Sequence, residues 1–87
     1  MATYQLQILA LDRMVYEGVV ESMVVKGSEG YLGVLAHHAP LVTELTEGDL
    51  EITLDTHEKK KFYLEGGLLD VGHNKATILA DGKVEER

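Results

Sequence analysis

The chain has 87 residues, of which 45% are hydrophobic and 26% charged, the composition of one small globular domain rather than of a disordered or fibrous chain. It contains no cysteine, which excludes disulfide stapling and thiolate metal centres. Its net charge of −7, from 15 acidic and 8 basic residues, argues against nucleic acid as a partner, because that requires clustered Lys and Arg.

Period-two alternation dominates from the start. In "TYQLQILA", Tyr4, Leu6 and Ile8 fall on one face and Gln5 and Gln7 on the other, the pattern of a half-buried strand. The same opening has no apolar block of signal-peptide length, and no run approaches the ~20 apolar residues of a membrane helix, so neither a targeting segment nor a span is expected. "GVVESMVVKG" reads as a second strand ending at Gly27. Glycines at 27, 30 and 33 then suggest a tight strand-to-strand turn, supplying positive φ or close backbone approach.

"LVTELTEGDLEITL" predicts two strands joined as a hairpin at Glu47-Gly48-Asp49, with Leu50, Ile52 and Leu54 alternating against Glu51 and Thr53. "DTHE" (55–58) is a turn before the strand "KKKFYL", whose Lys59-Lys60-Lys61 run reads as a charged blunter on an edge strand. Gly66-Gly67 precede another short strand, "GHNK" (72–75) is a turn, and "ATILA" is a further strand. "DGKVEER" is polar and expected to fray. Turns recur every 8–12 residues or so and no window is a convincing amphipathic helix, which predicts an all-β sandwich or barrel in a single domain, residues 1–87.

Motifs that carry chemistry are thin. A phosphate loop needs Lys followed by Ser or Thr at a helix start, and Gly33 is followed by Val-Leu-Ala. A dinucleotide fingerprint needs a βαβ unit. His37 and His38, adjacent in what reads as an extended segment, point to opposite faces and do not easily ligate one metal, and His57 and His73 sit in separate turns. The acidic residues Glu17, Glu21, Glu44, Glu47 and Glu51 have solvent-face spacing, and neither Ser22 nor Ser28 lies in a nucleophile elbow. The residues themselves therefore favour a module that acts by presenting surface. Ala39-Pro40-Leu41-Val42-Thr43 is either a flat contact patch or a strand whose Leu41 and Val42 fill the core from alternate faces.

"GSEGYLGV", followed by "HAPLVTEL" and "EG", resembles the signature of the epsilon subunit of rotary ATP synthases, called delta in mitochondria. "YEGVVES" resembles the family's approach to that loop, and "FYLEGGLLDV" and "ATILAD" resemble its later strands, so the match runs along nearly the whole chain. The resemblance implies a flattened ten-stranded β-sandwich with no catalytic residues, cofactor or metal. It implies a rotor subunit that binds the gamma subunit and rests on the polar loops of the membrane c-ring, coupling proton flow to ATP synthesis. Such a subunit is peripheral to the membrane complex without inserting in the bilayer, on the cytoplasmic face of the bacterial inner membrane or the equivalent side of another energy-transducing membrane.

By position, Ser28, Glu29, Gly30, Tyr31, Leu32 and Gly33 are implied to face the c-ring, and His38, Ala39, Pro40, Leu41, Val42 and Thr43 to face gamma or the ring. Tyr31 stands where many members carry an acidic residue, and His37 where a glycine is usual. Bacterial members usually continue into a C-terminal helical hairpin that can inhibit hydrolysis and sometimes binds ATP; with the chain ending at Arg87, neither property is expected of these residues. Two other readings make different predictions. A histidine-dependent enzyme or metal-binding β-domain would use His37 or His38, and a generic adaptor sandwich would use the Lys59–Lys61 edge.

Overall fold

The computed structural model describes residues 2–87, which fold into nine β-strands with no helix among them. They are β1 (Tyr4–Leu9), β2 (Met14–Gly27), β3 (Gly30–Leu35), β4 (Leu41–Leu45), β5 (Gly48–Leu54), β6 (Lys59–Leu64), β7 (Gly67–Gly72), β8 (Lys75–Ala80) and β9 (Val84–Glu86). Hydrogen bonding links them in the order β1-β8-β7-β4-β2-β5-β6-β9, with β1 also paired to β2, and β3 paired to β2 alone. Strands β1, β8, β7, β4 and β2 therefore close on themselves, and β3, β5, β6 and β9 extend from the far half of β2. The β1–β8 pair is parallel and every other pair antiparallel.

The 14-residue strand β2 organises both layers. A straight strand of that length would span roughly 45 Å, which exceeds the 32 Å longest dimension of the molecule. The strand must bend, and its two irregularities provide the bends. One falls where Ile8 pairs Tyr16 but Leu9 pairs Met14, the other where Val20 pairs Leu54 but Ser22 pairs Thr53. Residues before the second irregularity pair with β1, and residues after it pair with β3 and β5. Divided there, β2 supplies a strand to each layer, which accounts for nine chain segments where the resemblance implies ten strands.

The core follows from alternation. Tyr4, Leu6 and Ile8 are buried, as the first strand's pattern predicts, and they meet Val20, Met23 and Val25 of β2, Leu50 and Ile52 of β5, Phe62 and Leu64 of β6, Leu69 and Val71 of β7, and Ala76, Ile78 and Ala80 of β8. Phe62 is the largest fully buried side chain and packs tilted against Tyr16, with ring centroids 6.1 Å apart. Burial of a ring of this size contributes about 1.5–3 kcal/mol relative to exposure. The Tyr4 hydroxyl donates to the Val34 carbonyl oxygen at 2.8 Å, tying β1 to β3 across the interior. Burial pushes the Tyr4 pKa well above the ordinary phenol value.

Several expectations are corrected. β4 and β5 do not form a hairpin: β4 pairs with β7 along its length, β5 pairs with β2 and β6, and Glu47-Gly48-Asp49 carries the chain from one layer to the other. The lysine run is only in part on an open edge: β9 covers β6 over Phe62–Leu64 and the Arg87 amide reaches the Lys61 carbonyl oxygen, whereas Lys59 and Lys60 pair with β5 alone; Lys60 reaches Glu86 at 3.3 Å and Lys59 reaches Glu51 at 3.7 Å. Residues 81–87 do not trail away, since Val84 is buried against the core and the Arg87 amide donates to the Lys61 carbonyl oxygen at 2.8 Å. Glu21 is buried rather than solvent-facing, because the second irregularity of β2 breaks the alternation and turns Val20 and Glu21 both inward.

The turns agree better. His73 and Asn74 both take positive φ, 52° and 55°, between β7 and β8, as a tight two-residue hairpin requires. His57 takes φ 72° in the 55–58 turn between β5 and β6.

Candidate functional site

The segment 27–33 is a hairpin. Ser28 and Glu29 form the turn between the paired Gly27 and Gly30, and Gly30 takes the left-handed step with φ 122°. At Gly27 a Cβ would lie 3.4 Å from the Gly30 carbonyl oxygen and 3.7 Å from that of Glu44, ordinary contact distances, and its φ is not positive. Gly33 is less constrained still: nothing lies within 4 Å of its Cβ position and its φ is not positive. Its place on the outer side of β3, opposite the exposed Val24, leaves a shallow open spot between the exposed Tyr31 and Leu35.

The hairpin end meets β4. The Ser28 amide donates to the Glu44 carbonyl oxygen at 3.3 Å, the Thr46 amide to the Lys26 carbonyl oxygen at 3.0 Å, and Gly27 pairs with Leu45. Between hairpin and strand is an open cleft of about 340 Å³, lined by Gly27, Ser28, Glu29, Gly30, Tyr31, Leu32, Leu41 and Thr43. The fold thus brings Ser28 to Leu32 together with Leu41 and Thr43. Val42, between them, points away and is 64% exposed on the opposite face of β4. Of the two readings of residues 39–43, neither holds for the whole segment: Leu41 is half-buried against the core, whereas Val42 is outward surface.

Gly33, His38, Ala39 and Pro40 do not line this cleft. Residues 36–37 form a turn, with His37 at φ 63°, so the two histidines are not in an extended segment. The His37 amide donates to Asn74 Oδ1 at 2.8 Å, and Asn74 Nδ2 donates to the Thr3 carbonyl oxygen at 2.8 Å, so one asparagine joins the 36–40 connection, the β7–β8 turn and the start of β1. The His38 amide donates to the Leu35 carbonyl oxygen at 3.3 Å, and its ring Nδ1 lies 2.8 Å from the Ala39 carbonyl oxygen. Among the described residues no three His, Asp or Glu side chains are grouped to hold a metal ion.

A second feature is invisible to sequence periodicity. β7, β8, β1 and β2 place Leu68, Leu79, Leu9 and Met14 in one row of registered partners. Leu68, Leu79 and Met14 are 41%, 48% and 46% exposed, so an apolar row crosses the outer face of this layer. Single outward apolar residues on separate strands are unremarkable; only the register aligns these four. No described helix is long and apolar enough to cross a membrane.

Comparison with known proteins agrees with this architecture. ATP synthase epsilon chains from strains of Acinetobacter baumannii are 38% identical to it over 81 residues, 93% of this chain and 58% of theirs. The chain therefore spans little more than half the length of those relatives. A chain in the Euglena gracilis mitochondrial ATP synthase assembly of OSCP, F1 and c-ring superimposes with a TM-score of 0.92 at 24% identity, covering 99% of this chain and 54% of that one. A chain in the Tetrahymena thermophila mitochondrial ATP synthase central stalk and c-ring superimposes with a TM-score of 0.79 at 19% identity, covering 94% and 65%. At those identities the structural matches establish the fold. The model of the ATP synthase delta/epsilon chain beta-sandwich domain matches residues 3–86, and the chain belongs to that family.

Proposed function

We propose that this domain is a non-catalytic docking module of the rotor of a proton-translocating ATP synthase, joining the gamma subunit to the c-ring. The observation that carries this reading is family membership over residues 3–86, spanning all nine strands. The cleft supports it. Tyr31, 68% exposed, offers an aromatic contact beside Leu32, Leu41 and Thr43. Residues 28–33 are the ring-facing loop and residues 38–43 the gamma-facing or ring-facing segment. The domain works by tight assembly, for which a stable interface of roughly 1,200–2,000 Å² is the expected scale. It folds as one unit, sits peripherally on the membrane complex, and in a bacterium faces the cytoplasm.

The absence of cysteine makes the test direct. The chain is mixed with the gamma subunit of the same synthase and the 1:1 complex is sought by native mass spectrometry. In the assembled synthase, single thiols are introduced by Ser28→Cys, Thr43→Cys and Val42→Cys. Cross-links from Ser28→Cys or Thr43→Cys to gamma or the ring place the cleft at the joint. Cross-links from Val42→Cys alone move the joint to the outer face of β4. Failure to form any complex at micromolar concentration overturns the proposal.

A further inference from the structure

β3 and β9 each pair with one neighbour only, so each leaves a row of backbone groups open at an edge of the sheet. The β9 edge is guarded by charge. β9 is three residues long, Val84, Glu85 and Glu86, and lies between Lys83 and Arg87, while the stretch of β6 that it leaves open carries Lys59 and Lys60. Charged side chains on a short edge discourage pairing with another chain. β3 has no such guard: its six residues, Gly30-Tyr31-Leu32-Gly33-Val34-Leu35, include neither a charge nor a proline.

The open groups of β3 can be named. The Lys26 carbonyl oxygen accepts from the Thr46 amide, on the side of β2 away from β3. Backbone groups alternate sides along a strand, so Gly27, Val25 and Met23 turn theirs towards β3, opposite Gly30, Leu32 and Val34. The amides of Tyr31, Gly33 and Leu35 and the carbonyls of Tyr31 and Gly33 therefore point out of the sheet edge, and no described residue pairs with them. On the outer face Tyr31 and Leu35 are 68% and 65% exposed, with the bare Gly33 between them.

This row is complementary to itself. Antiparallel pairing of two copies about a twofold axis at Gly33 sets Gly33 against Gly33 and Tyr31 of each copy against Leu35 of the other, with every outward amide in a hydrogen-bonded pair. Each phenol ring then meets an aliphatic side chain and leans over the gap left by the paired glycines. Two residues beyond the ladder at either end, the same spacing brings the exposed Glu29 of one copy level with the exposed His37 of the other, a carboxylate against a ring that donates to it.

We propose that the free chain pairs with a second copy of itself, edge to edge through β3, about a twofold axis at Gly33. A contact confined to one six-residue strand falls short of the roughly 1,200 Å² of a standard stable interface, so the dimer is weak and exchanges with monomer. The dimer does not rest on the function proposed above. It bears on it, because residues 30–33 lie in the loop assigned there to the ring, so self-pairing and docking at that loop exclude one another.

The test is sedimentation equilibrium of the chain from about 10 µM to 1 mM, with a Kd on the order of 100 µM expected, and hydrogen exchange in which the Tyr31, Gly33 and Leu35 amides gain protection as concentration rises. Gly33→Lys puts two ammonium groups at the axis and, with one more Lys, takes the net charge from −7 to −6, so general repulsion falls. The Kd should nevertheless rise at least about tenfold, with the fold kept because nothing lies within 4 Å of that Cβ. Leu79→Lys, in the apolar row of the other layer, should leave the Kd unchanged. Gly33→Cys should oxidise to a disulfide-linked dimer, since paired residues at the axis have Cα atoms about 5.5 Å apart, and Leu79→Cys should not. A chain that stays monomeric at 1 mM, an unchanged Kd in Gly33→Lys, or loss of the dimer in Leu79→Lys overturns the proposal. So does a chain monomeric alone whose β3 amides become protected only in the assembled synthase, which gives the edge to a different protein. A dimer without a gamma complex defeats the function proposal and leaves this one standing; a gamma complex formed by a chain that never dimerises does the reverse.

Discussion

Gly67 gives the most direct test of how tightly this small sandwich is built. It pairs with Ala80 at the start of β7 and takes φ 155°, a value L residues rarely adopt. A Cβ there would press on the Leu79 carbonyl oxygen and lie 3.1 Å from the Ala80 Cα and 3.2 Å from the Leu79 carbonyl carbon, all backbone atoms of the neighbouring strand. Gly67 is paired on both sides, with Ala80 and with Leu45, and backbone has no alternative rotamer, so Gly67→Ala must push β7 and β8 apart. Overpacking typically costs about 1–3 kcal/mol, and holding a side chain at a disfavoured φ costs a further ~1–3 kcal/mol, so about 3 kcal/mol is a conservative total. An 87-residue domain has roughly 4–13 kcal/mol to lose. At about 4–8 °C per kcal/mol, Tm should fall by roughly 12–24 °C. Gly33→Ala is the control: with nothing within 4 Å and an ordinary φ, it should leave Tm unchanged or raise it slightly. The assay is thermal unfolding followed by circular dichroism. A Gly67→Ala shift under about 4 °C, or equal shifts for the two variants, refutes the close-approach argument.

The tyrosines predict the alkaline behaviour. Burial raises the Tyr4 pKa, so the folded chain holds that proton more tightly than the unfolded chain; stability is full below pH ~10 and falls as pH rises further. Tyr4→Phe should lower the urea midpoint at neutral pH through loss of the bond to Val34, by about 1 kcal/mol, and should lessen the decline above pH ~10. Tyr63, donating to Glu47, has its pKa pushed up to about 12, and ultraviolet titration should place one phenol there and move it down in Glu47→Gln. Phe62→Ala should cost about 3–5 kcal/mol, enough to unfold a marginal preparation, whereas Phe62→Leu should remain folded in urea titrations. Asn74→Ala loses both side-chain bonds and strains a φ of 55°, while Asn74→Gly relieves the strain alone. Hydrogen exchange of the His37 amide should rise in both variants, with the larger loss of stability in Asn74→Ala.

What could be read from the sequence was what nearest neighbours decide. Tyr4, Leu6 and Ile8 announce an inward face, and the turns at 55–58 and 72–75 occur where predicted. Pairing between distant strands was not legible. Glu47-Gly48-Asp49 has the composition of a hairpin turn, but β4 gains a full ladder from β7 and leaves β5 to β2 and β6. Val84 is one buried residue in a polar tail, too short a signal for periodicity, yet it pairs with Leu64 and brings β9 onto β6. Glu21 was misplaced for a different reason: one irregularity in β2 reverses which parity faces in. For the candidate site, the resemblance singles out residues 28–43, but only the register of β4 puts Leu41 and Thr43 in the cleft and Val42 outside it.

The length of β2 has a mechanical consequence. A pull along β2 loads its ladders to β1, β3 and β5 in shear, so many backbone bonds must yield at once. A pull on β9 peels three residue pairs in succession. The molecule therefore has a stiff axis and one corner that opens first.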